Sequence, residues 1–108
     1  MDIETIFNQY LGKDFTSMKA SEFADMIITE LERNGYECKR EARVKNRGDG
    51  RAGRIDVVAH LNYKMIAIEF DNCSPRVKSV YKLSRLPREI RKFCILRKPF
   101  KVFDLSEY

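Results

Sequence analysis

The sequence has no segment that would span a membrane or direct the chain across one. No stretch approaches the roughly 20 consecutive apolar residues that a membrane-spanning helix needs. The segment from Met1 to Tyr10 lacks the charged region followed by an apolar region that is typical of a secretory signal peptide. We therefore expect a cytoplasmic protein without a membrane partner.

Cysteine and histidine are scarce, with three of the first and one of the second among 108 residues. Three cysteines cannot all pair within one chain, and the spacings of Cys38, Cys73 and Cys94 do not resemble those of a zinc site. We expect reduced, buried thiols rather than disulfides or a zinc centre.

Basic charge is concentrated in one part of the chain. The sequence carries 21 Lys and Arg against 16 Asp and Glu, a formal net charge of +5. Residues 76–101 hold ten basic residues and one acidic residue, whereas residues 1–34 hold three basic and seven acidic residues. A concentrated positive region is typical of a protein with a polyanion partner, most often nucleic acid. A solvated basic face that binds nothing is the alternative.

Apolar spacing and helix-start residues predict three helices. Apolar residues recur every three or four positions over residues 20–34, the period of an amphipathic helix, and Gly35 ends it. A shorter helix is expected over about 3–11. A third is expected over about 74–86, because it opens with serine as N-cap and proline at the first helical position.

Five segments have the composition of strands. Residues 36–45 alternate in polarity, residues 54–60 and 64–71 form a hairpin, and short strands follow at 93–96 and 102–105. The strand over 64–71 is apolar on both faces, which places it in the middle of a sheet that helices cover on both sides.

The order helix, three strands, helix, strand predicts an α+β sandwich. We expect a central mixed β-sheet of about four strands flanked by helices, with a core over roughly residues 20–105. The length of the chain fits one domain, residues 1–108.

Three carboxylates interrupt or end the apolar strands. Asp56 lies inside an apolar run, and Glu69 and Asp71 close the most hydrophobic strand. A two-residue turn at Asn62 and Tyr63 would pair residues whose numbers sum to 125, and Asp56 would lie opposite Glu69. A three-residue turn would put them on opposite faces. Buried carboxylates are costly unless a cation compensates them. Oxygen ligands favour Mg²⁺ or Mn²⁺, and such an ion beside a basic surface favours phosphodiester hydrolysis.

The segment Arg54-Ile-Asp56, followed 13 residues after Asp56 by Glu69-Phe-Asp71, resembles the PD-(D/E)XK, or restriction-endonuclease-like, nuclease superfamily. The likeness is greatest to its small phage and mobile-element members. The resemblance implies the same helix, three-strand, helix, strand core and a metal held by Asp56, Glu69 and the carbonyl of Phe70. The family's motif usually ends in lysine, and Asp71 stands here instead.

The resemblance also implies roles for residues outside the motif. Lys78, about one turn into the third helix, is the expected substitute for the missing lysine. Asp71 would be a further ligand or would orient the attacking water. Some family members use a glutamate of the first long helix as a metal ligand, and Glu30 is the expected counterpart here.

Basic residues near this motif are expected to contact DNA. Lys78, Lys82 and Arg85 form one stripe of the third helix at spacings of four and three. The residues expected to bind nucleic acid are Arg76, Lys78, Lys82, Arg85, Arg51 and Arg54. Three aromatic residues have two interpretations, base stacking or a place in the core: Tyr63, Tyr81 and Phe93.

The sequence therefore favours a Mg²⁺-dependent deoxyribonuclease, with RNA left open as a substrate. Since one active site cuts one strand, double-strand cleavage would require a homodimer. A catalytically inactive DNA-binding or regulatory protein on the same fold is the main alternative, and an adaptor that binds only proteins is a third.

Overall fold

The alternation of apolar and polar segments produces a sheet that carries helices on both faces. A computed structural model of the chain describes residues 2–44 and 53–107. The elements in chain order are α1 (Ile3–Asn8), α2 (Ala20–Arg33), β1 (Glu37–Val44), β2 (Gly53–Leu61), β3 (Lys64–Asp71), α3 (Val77–Ser84), β4 (Arg91–Arg97) and β5 (Phe100–Asp104). The predicted α+β sandwich is confirmed.

The sheet is mixed, and its strands lie in the order β1-β2-β3-β4-β5. Strands β3 and β4 are parallel, whereas every other neighbouring pair is antiparallel. A parallel pair needs a crossover connection, and α3 lies within it. The sheet has five strands rather than about four because residues 100–104 fold back onto β4. Strand β3 is central, as its continuous apolar run predicts.

Two hydrophobic clusters cover the two faces of this sheet. On one face, α1 and α2 pack Phe7, Phe23 and Leu31 against strand residues such as Val57 and Ile68. The smaller cluster on the other face joins α3 to the sheet and contains Ile55, Ala67, Leu83, Cys94, Leu96 and Leu105. The central strand is therefore buried on both sides, which is why a carboxylate at its end lies in the interior.

The helices differ from the predictions at their ends. Helix α1 stops at Asn8 instead of Leu11, and α2 ends at Arg33. Gly35 follows α2 with a φ of 91°, the left-handed conformation expected after a helix. Helix α3 begins at Val77, two residues after the predicted first helical residue Pro75, because the backbone N–H of Arg76 donates to Asp71.

The three cysteines carry free thiols, as expected, but they differ in exposure. Cys94 is buried and Cys38 is half-buried, whereas Cys73 is exposed, so the expectation that all three are buried is wrong for Cys73. None of the helices in the described ranges is both long and apolar enough to cross a membrane.

Candidate active site at the end of the β2–β3 hairpin

The hairpin of β2 and β3 has the register that a two-residue turn predicts. Its backbone pairs run from Leu61 with Lys64 to Val57 with Ile68, and the numbers in every pair sum to 125. Asn62 begins the turn with a φ of 55°, a left-handed conformation that asparagine tolerates. The next position on each strand is acidic, Asp56 on β2 and Glu69 on β3, and this register brings the two residues opposite each other.

At Asp56 and Glu69 the backbone pairing of β2 with β3 stops, and hydrogen bonds between backbone and side chains take its place. The backbone N–H of Asp56 donates to Oε2 of Glu69 at 2.8 Å. The backbone N–H of Phe70 donates to Oδ2 of Asp56 at 2.9 Å. Each carboxylate thus accepts a hydrogen bond from the backbone of the opposite strand. The two acids are held together where β2 and β3 separate.

Glu69 is buried and has a cationic partner on α3. Its side chain is 0% exposed and forms an ion pair with Lys82, which is itself 12% exposed. The Lys82 ammonium also donates to the carbonyl of Arg54 at 3.0 Å. Burial and the nearby charge of Asp56 raise the pKa of Glu69 to about 7, although Lys82 acts in the opposite direction. Two negative charges in this position repel each other, so a proton or a cation bound between them would stabilise the site.

Asp71 belongs to a neighbouring but separate set of contacts. Its carboxylate accepts hydrogen bonds from the backbone N–H of Arg76 at 2.9 Å, from the guanidinium of Arg76 at 2.5 Å and from the thiol of Cys94 at 3.3 Å. Burial alone would raise the pKa of Asp71, but these contacts and that with Ser79 bring it below its ordinary value. Asp71 is thus an ionised carboxylate that fixes Arg76 at the start of α3.

The three carboxylates consequently do not form one cluster. Within residues 2–44 and 53–107, no group of three or more His, Cys, Asp and Glu side chains is arranged to hold a metal ion. The structure brings Asp56 and Glu69 together, as the sequence predicts, and engages Asp71 with Arg76 instead. The oxygen ligands that the structure brings together are therefore the two carboxylates, and the backbone of Phe70 meets Asp56 through its N–H.

An open cleft on the side of α2 reaches Asp56, whereas Glu69 is buried and does not line it. It has a volume of about 360 Å³. Its lining residues are Ala20, Ser21, Ala24, Ile28, Arg40, Glu41, Asp56, Val57, Phe70 and Arg76. The α2 residues in this list are mostly small, which leaves space above Asp56. A second hollow of about 400 Å³ next to it is also lined by Phe70 and Arg76, and it contains Asp71.

The lysine of the site is not the one that the sequence suggests. Lys78 is exposed, and in the described part of the chain it makes no ion pair with Glu69 or Asp71. Lys82, one turn further along α3, contacts Glu69 instead. Because α3 starts at Val77, its buried side is marked by Ser79 and Leu83, and Lys82 precedes Leu83 directly. A helical wheel puts Lys78 and Lys82 on one stripe, four residues apart, so the sequence pattern alone does not distinguish them.

The remaining predicted site residues lie apart from the acidic pair. Glu30 forms an ion pair with Arg33 at 3.5 Å and lies beside Tyr10, and it is not among the residues that line the cleft. Arg54 is exposed and lies 3.7 Å from Glu41. Arg85 is exposed at the end of α3. Arg51 lies outside the described residues.

The basic segment 76–101 is not a continuous positive face. Four of its members are occupied within the protein: Arg76 with Asp71, Lys82 with Glu69, Arg91 with Glu4 and Asp104, and Arg97 with Asn72 and the carbonyl of Met18. Lys92 is 0% exposed. The remaining cations of the segment are spread over α3, the loops and β5: Lys78, Arg85, Arg88, Lys98 and Lys101.

Comparison of the chain with protein-family models, with curated proteins and with solved structures finds no match. The geometry of the site and the motif are therefore the only indications of function. The resemblance to the PD-(D/E)XK nucleases stays an inference from the motif Asp56, Glu69, Phe70 and Asp71.

Proposed function

We propose that this protein is a metal-dependent nuclease that hydrolyses phosphodiester bonds of DNA, of the PD-(D/E)XK type with Asp71 in place of the motif's lysine. The observation that carries the proposal is the pair of hydrogen bonds that hold the two carboxylates where β2 and β3 separate, from the N–H of Asp56 to Glu69 and from the N–H of Phe70 to Asp56. Two carboxylates held side by side, one of them buried, are an arrangement that a divalent cation stabilises. The cleft beside Asp56 supports access by a substrate.

The donor set fits Mg²⁺ or Mn²⁺. Proteins bind Mg²⁺ through one or two carboxylates, and water and substrate phosphate complete its six positions. Asp56, Glu69 and the carbonyl of Phe70 would hold the ion. A bound Mg²⁺ would lower the pKa of a water molecule and would stabilise negative charge on the phosphate oxygens. Burial and Asp56 raise the pKa of Glu69, and a bound cation would lower it again, which supports a role for Glu69 as a metal ligand.

The basic residues at the site have separate roles in this proposal. In this proposal Lys82, held next to Glu69, has the role of the motif's lysine and offers its ammonium to a phosphate oxygen or the attacking water. Arg76 lines both hollows with a side chain that is 64% exposed, so it can contact a phosphate group. Asp71 is a positioning residue, since it holds the guanidinium of Arg76 at the edge of the cleft.

One observation favours a second candidate, a non-catalytic DNA-binding protein on the same fold. Glu69 and Asp71 each have a basic partner within the chain, namely Lys82 and Arg76. These internal ion pairs compensate the buried carboxylates without a metal. Such a protein would bind DNA in the absence of Mg²⁺ and would not cleave it.

Cleavage assays with matched variants test the proposal. Plasmid, single-stranded DNA and RNA are incubated with wild type, Asp56→Asn, Glu69→Gln and the control Glu37→Gln, with Mg²⁺, Mn²⁺ or EDTA. Glu37 is an exposed carboxylate of β1 and does not line the cleft. We expect cleavage only with metal, and a loss of roughly a hundredfold or more in both site variants but not in the control.

A calorimetric titration with Mn²⁺ gives a readout that does not depend on activity. Wild type and Glu37→Gln should bind the ion, and Asp56→Asn and Glu69→Gln should bind it much more weakly. If the wild type neither binds Mn²⁺ nor cleaves any of the three substrates, the nuclease proposal is wrong. DNA binding that persists in that case would support the non-catalytic candidate.

The cytoplasmic location and the homodimer expected for double-strand cleavage also stay proposals.

A further inference from the structure

The outer face of α3 combines apolar and basic groups in a way that the acidic site does not explain. We use this name for the four exposed residues Val77, Lys78, Tyr81 and Arg85. Val77 and Tyr81 are 67% and 56% exposed, although both are large and apolar for a surface position. They are four residues apart, and Arg85 follows after another four, so the three lie along one line of the helix. Lys78 flanks the same line.

The charge of this face has one sign. The sequence from residue 72 to residue 88 contains five basic residues and no acidic residue. Arg76 and Lys82 face the carboxylates of the candidate site, but Lys78 and Arg85 make no ion pair in the portions of the chain that the structure describes. An exposed aromatic ring between two unpaired cations is complementary to a polyanion that also offers flat rings. Nucleic acid has both properties.

We propose that the outer face of α3 binds single-stranded nucleic acid, with an unpaired base stacked on Tyr81 and the phosphate backbone at Lys78 and Arg85. This inference rests on the proposed nuclease function and names the form of its substrate. In a duplex the faces of the bases are covered by their neighbours, so a surface tyrosine cannot stack on them. A single strand leaves those faces accessible.

The position of α3 connects this surface to the cleft. Arg76 lies at the N-terminal end of the helix and lines both hollows beside Asp56 and Asp71. Arg85 lies at the other end, about 13 Å away at 1.5 Å per residue. A strand that lies along α3 would therefore pass from Arg85 over Tyr81 to Arg76 and enter the cleft there.

The outer face of α3 is less suited to a second copy of the chain than to nucleic acid. A stable protein interface buries about 1,200 to 2,000 Å² in total, far more than four side chains of an eight-residue helix provide. Two copies that meet through the same face would also bring Lys78 and Arg85 near their own counterparts, and like charges repel. Charge complementarity thus favours the polyanion.

Binding measurements without metal test the inference apart from catalysis. Fluorescence anisotropy follows a labelled oligo(dT) and a duplex of equal length in EDTA, with wild type, Tyr81→Ala, Tyr81→Phe and Tyr63→Ala. Tyr63 is the matched control, because it is a fully exposed tyrosine at the β2–β3 turn, the end of the hairpin opposite Asp56 and Glu69, and so has no part in the proposed surface. We expect Tyr81→Ala to weaken oligo(dT) binding about five- to a hundredfold. Tyr81→Phe keeps the ring and should bind as wild type does, as should Tyr63→Ala.

The same set of variants separates failure of this inference from failure of the proposed function. If Tyr81→Ala binds oligo(dT) as tightly as wild type, or loses duplex binding to the same extent, the stacking proposal is overturned even if Mg²⁺-dependent cleavage is found. If wild type never cleaves but Tyr81→Ala loses oligo(dT) binding selectively, the binding surface stands and the nuclease function fails. Sedimentation that shows a dimer in wild type and a monomer in Tyr81→Ala would assign this face to self-association instead and overturn the proposal.

Discussion

At the scale of single residues, Glu69 shows how burial and charge compete. It ends the most apolar strand, where a carboxylate is costly, and the contacts with the backbone of Asp56 and with Lys82 only partly offset that cost. A protein that retains such a residue loses stability for it. In the proposed function that loss is offset when a metal ion binds.

The raised pKa of Glu69 makes stability depend on pH. The pKa of Glu69 is about 7 in the folded protein against an ordinary value of 4.5, so between these pH values the folded state binds more protons than the unfolded state. The free energy of unfolding should therefore fall as pH rises through this window, by about 3 kcal/mol at 1.36 kcal/mol per pKa unit. Urea denaturation in EDTA at pH 4.5 and pH 8 measures this.

Glu69→Gln supplies the comparison, because glutamine does not titrate and all other groups are shared. The variant should gain stability relative to wild type as pH rises, and the control Glu37→Gln should show no such trend. A constant difference between Glu69→Gln and wild type across this pH range would contradict the assigned pKa.

Lys92 is a second buried charge, and it has no role in the proposed site. Its side chain is 0% exposed on β4, and its ammonium has no hydrogen-bond acceptor among residues 2–44 and 53–107. An unsatisfied buried polar group costs about 1 to 3 kcal/mol. We expect Lys92→Met to raise the free energy of unfolding by about that amount at pH 7, measured by urea denaturation. Equal or lower stability would show that the ammonium is compensated in the folded protein.

At the scale of elements, α3 connects the fold to the function. It is the crossover between the parallel strands β3 and β4, and it carries Lys82 on its inner side and Tyr81 on its outer side. Its position depends on the contacts of Leu83 with the sheet and on the bond between Asp71 and the N–H of Arg76. A short helix of this kind is stabilised mainly by packing rather than by its own propensity.

Leu83→Ala tests how strongly α3 is anchored. Leu83 is 0% exposed and packs in the hydrophobic cluster under α3. Removal of its methyl groups should lower the free energy of unfolding by about 2 to 5 kcal/mol, as measured by urea denaturation. Leu11→Ala is the control, because Leu11 is 52% exposed and should change stability little. Similar values for the two variants would mean that α3 is not held by this contact.

At the scale of the whole molecule, the distribution of charge is decided by folding as much as by composition. The ten basic residues of segment 76–101 are alike in the sequence. In the structure some of them neutralise acids, Lys92 is buried, and others such as Lys78 remain on the surface. The field that a polyanion meets is therefore weaker and more localised than the count of charges suggests.

For this reason Lys78→Ala and Lys92→Met, which each remove one basic group, should differ in the salt dependence of oligo(dT) binding. Lys78→Ala should reduce the slope of log K against log salt concentration for oligo(dT) binding by about 0.7, the value for one phosphate contact of a single strand. Lys92→Met should leave the slope unchanged, because Lys92 is buried. Anisotropy titrations at several salt concentrations provide the slopes. Equal slopes for the two variants would mean that Lys78 makes no phosphate contact.

The sequence by itself determined the parts that depend on local pattern. The apolar run of 64–71 specified a central strand with those bounds, and Asn62 and Tyr63 marked the turn, one of whose two possible registers brings Asp56 to Glu69. Gly35 marked the end of α2. These features follow from side-chain periodicity and turn chemistry, which act over a few residues.

Only the tertiary structure decided which cation meets which carboxylate. Lys78 and Lys82 are equivalent in a helical pattern, and the choice of Lys82 depends on where α3 begins and on the face that Leu83 turns to the sheet. Asp71 could join the acidic pair in a strand diagram, but the start of α3 brings Arg76 to it first. Ion pairs between elements depend on distances of a few ångströms across the fold, and no local pattern in the chain encodes those distances.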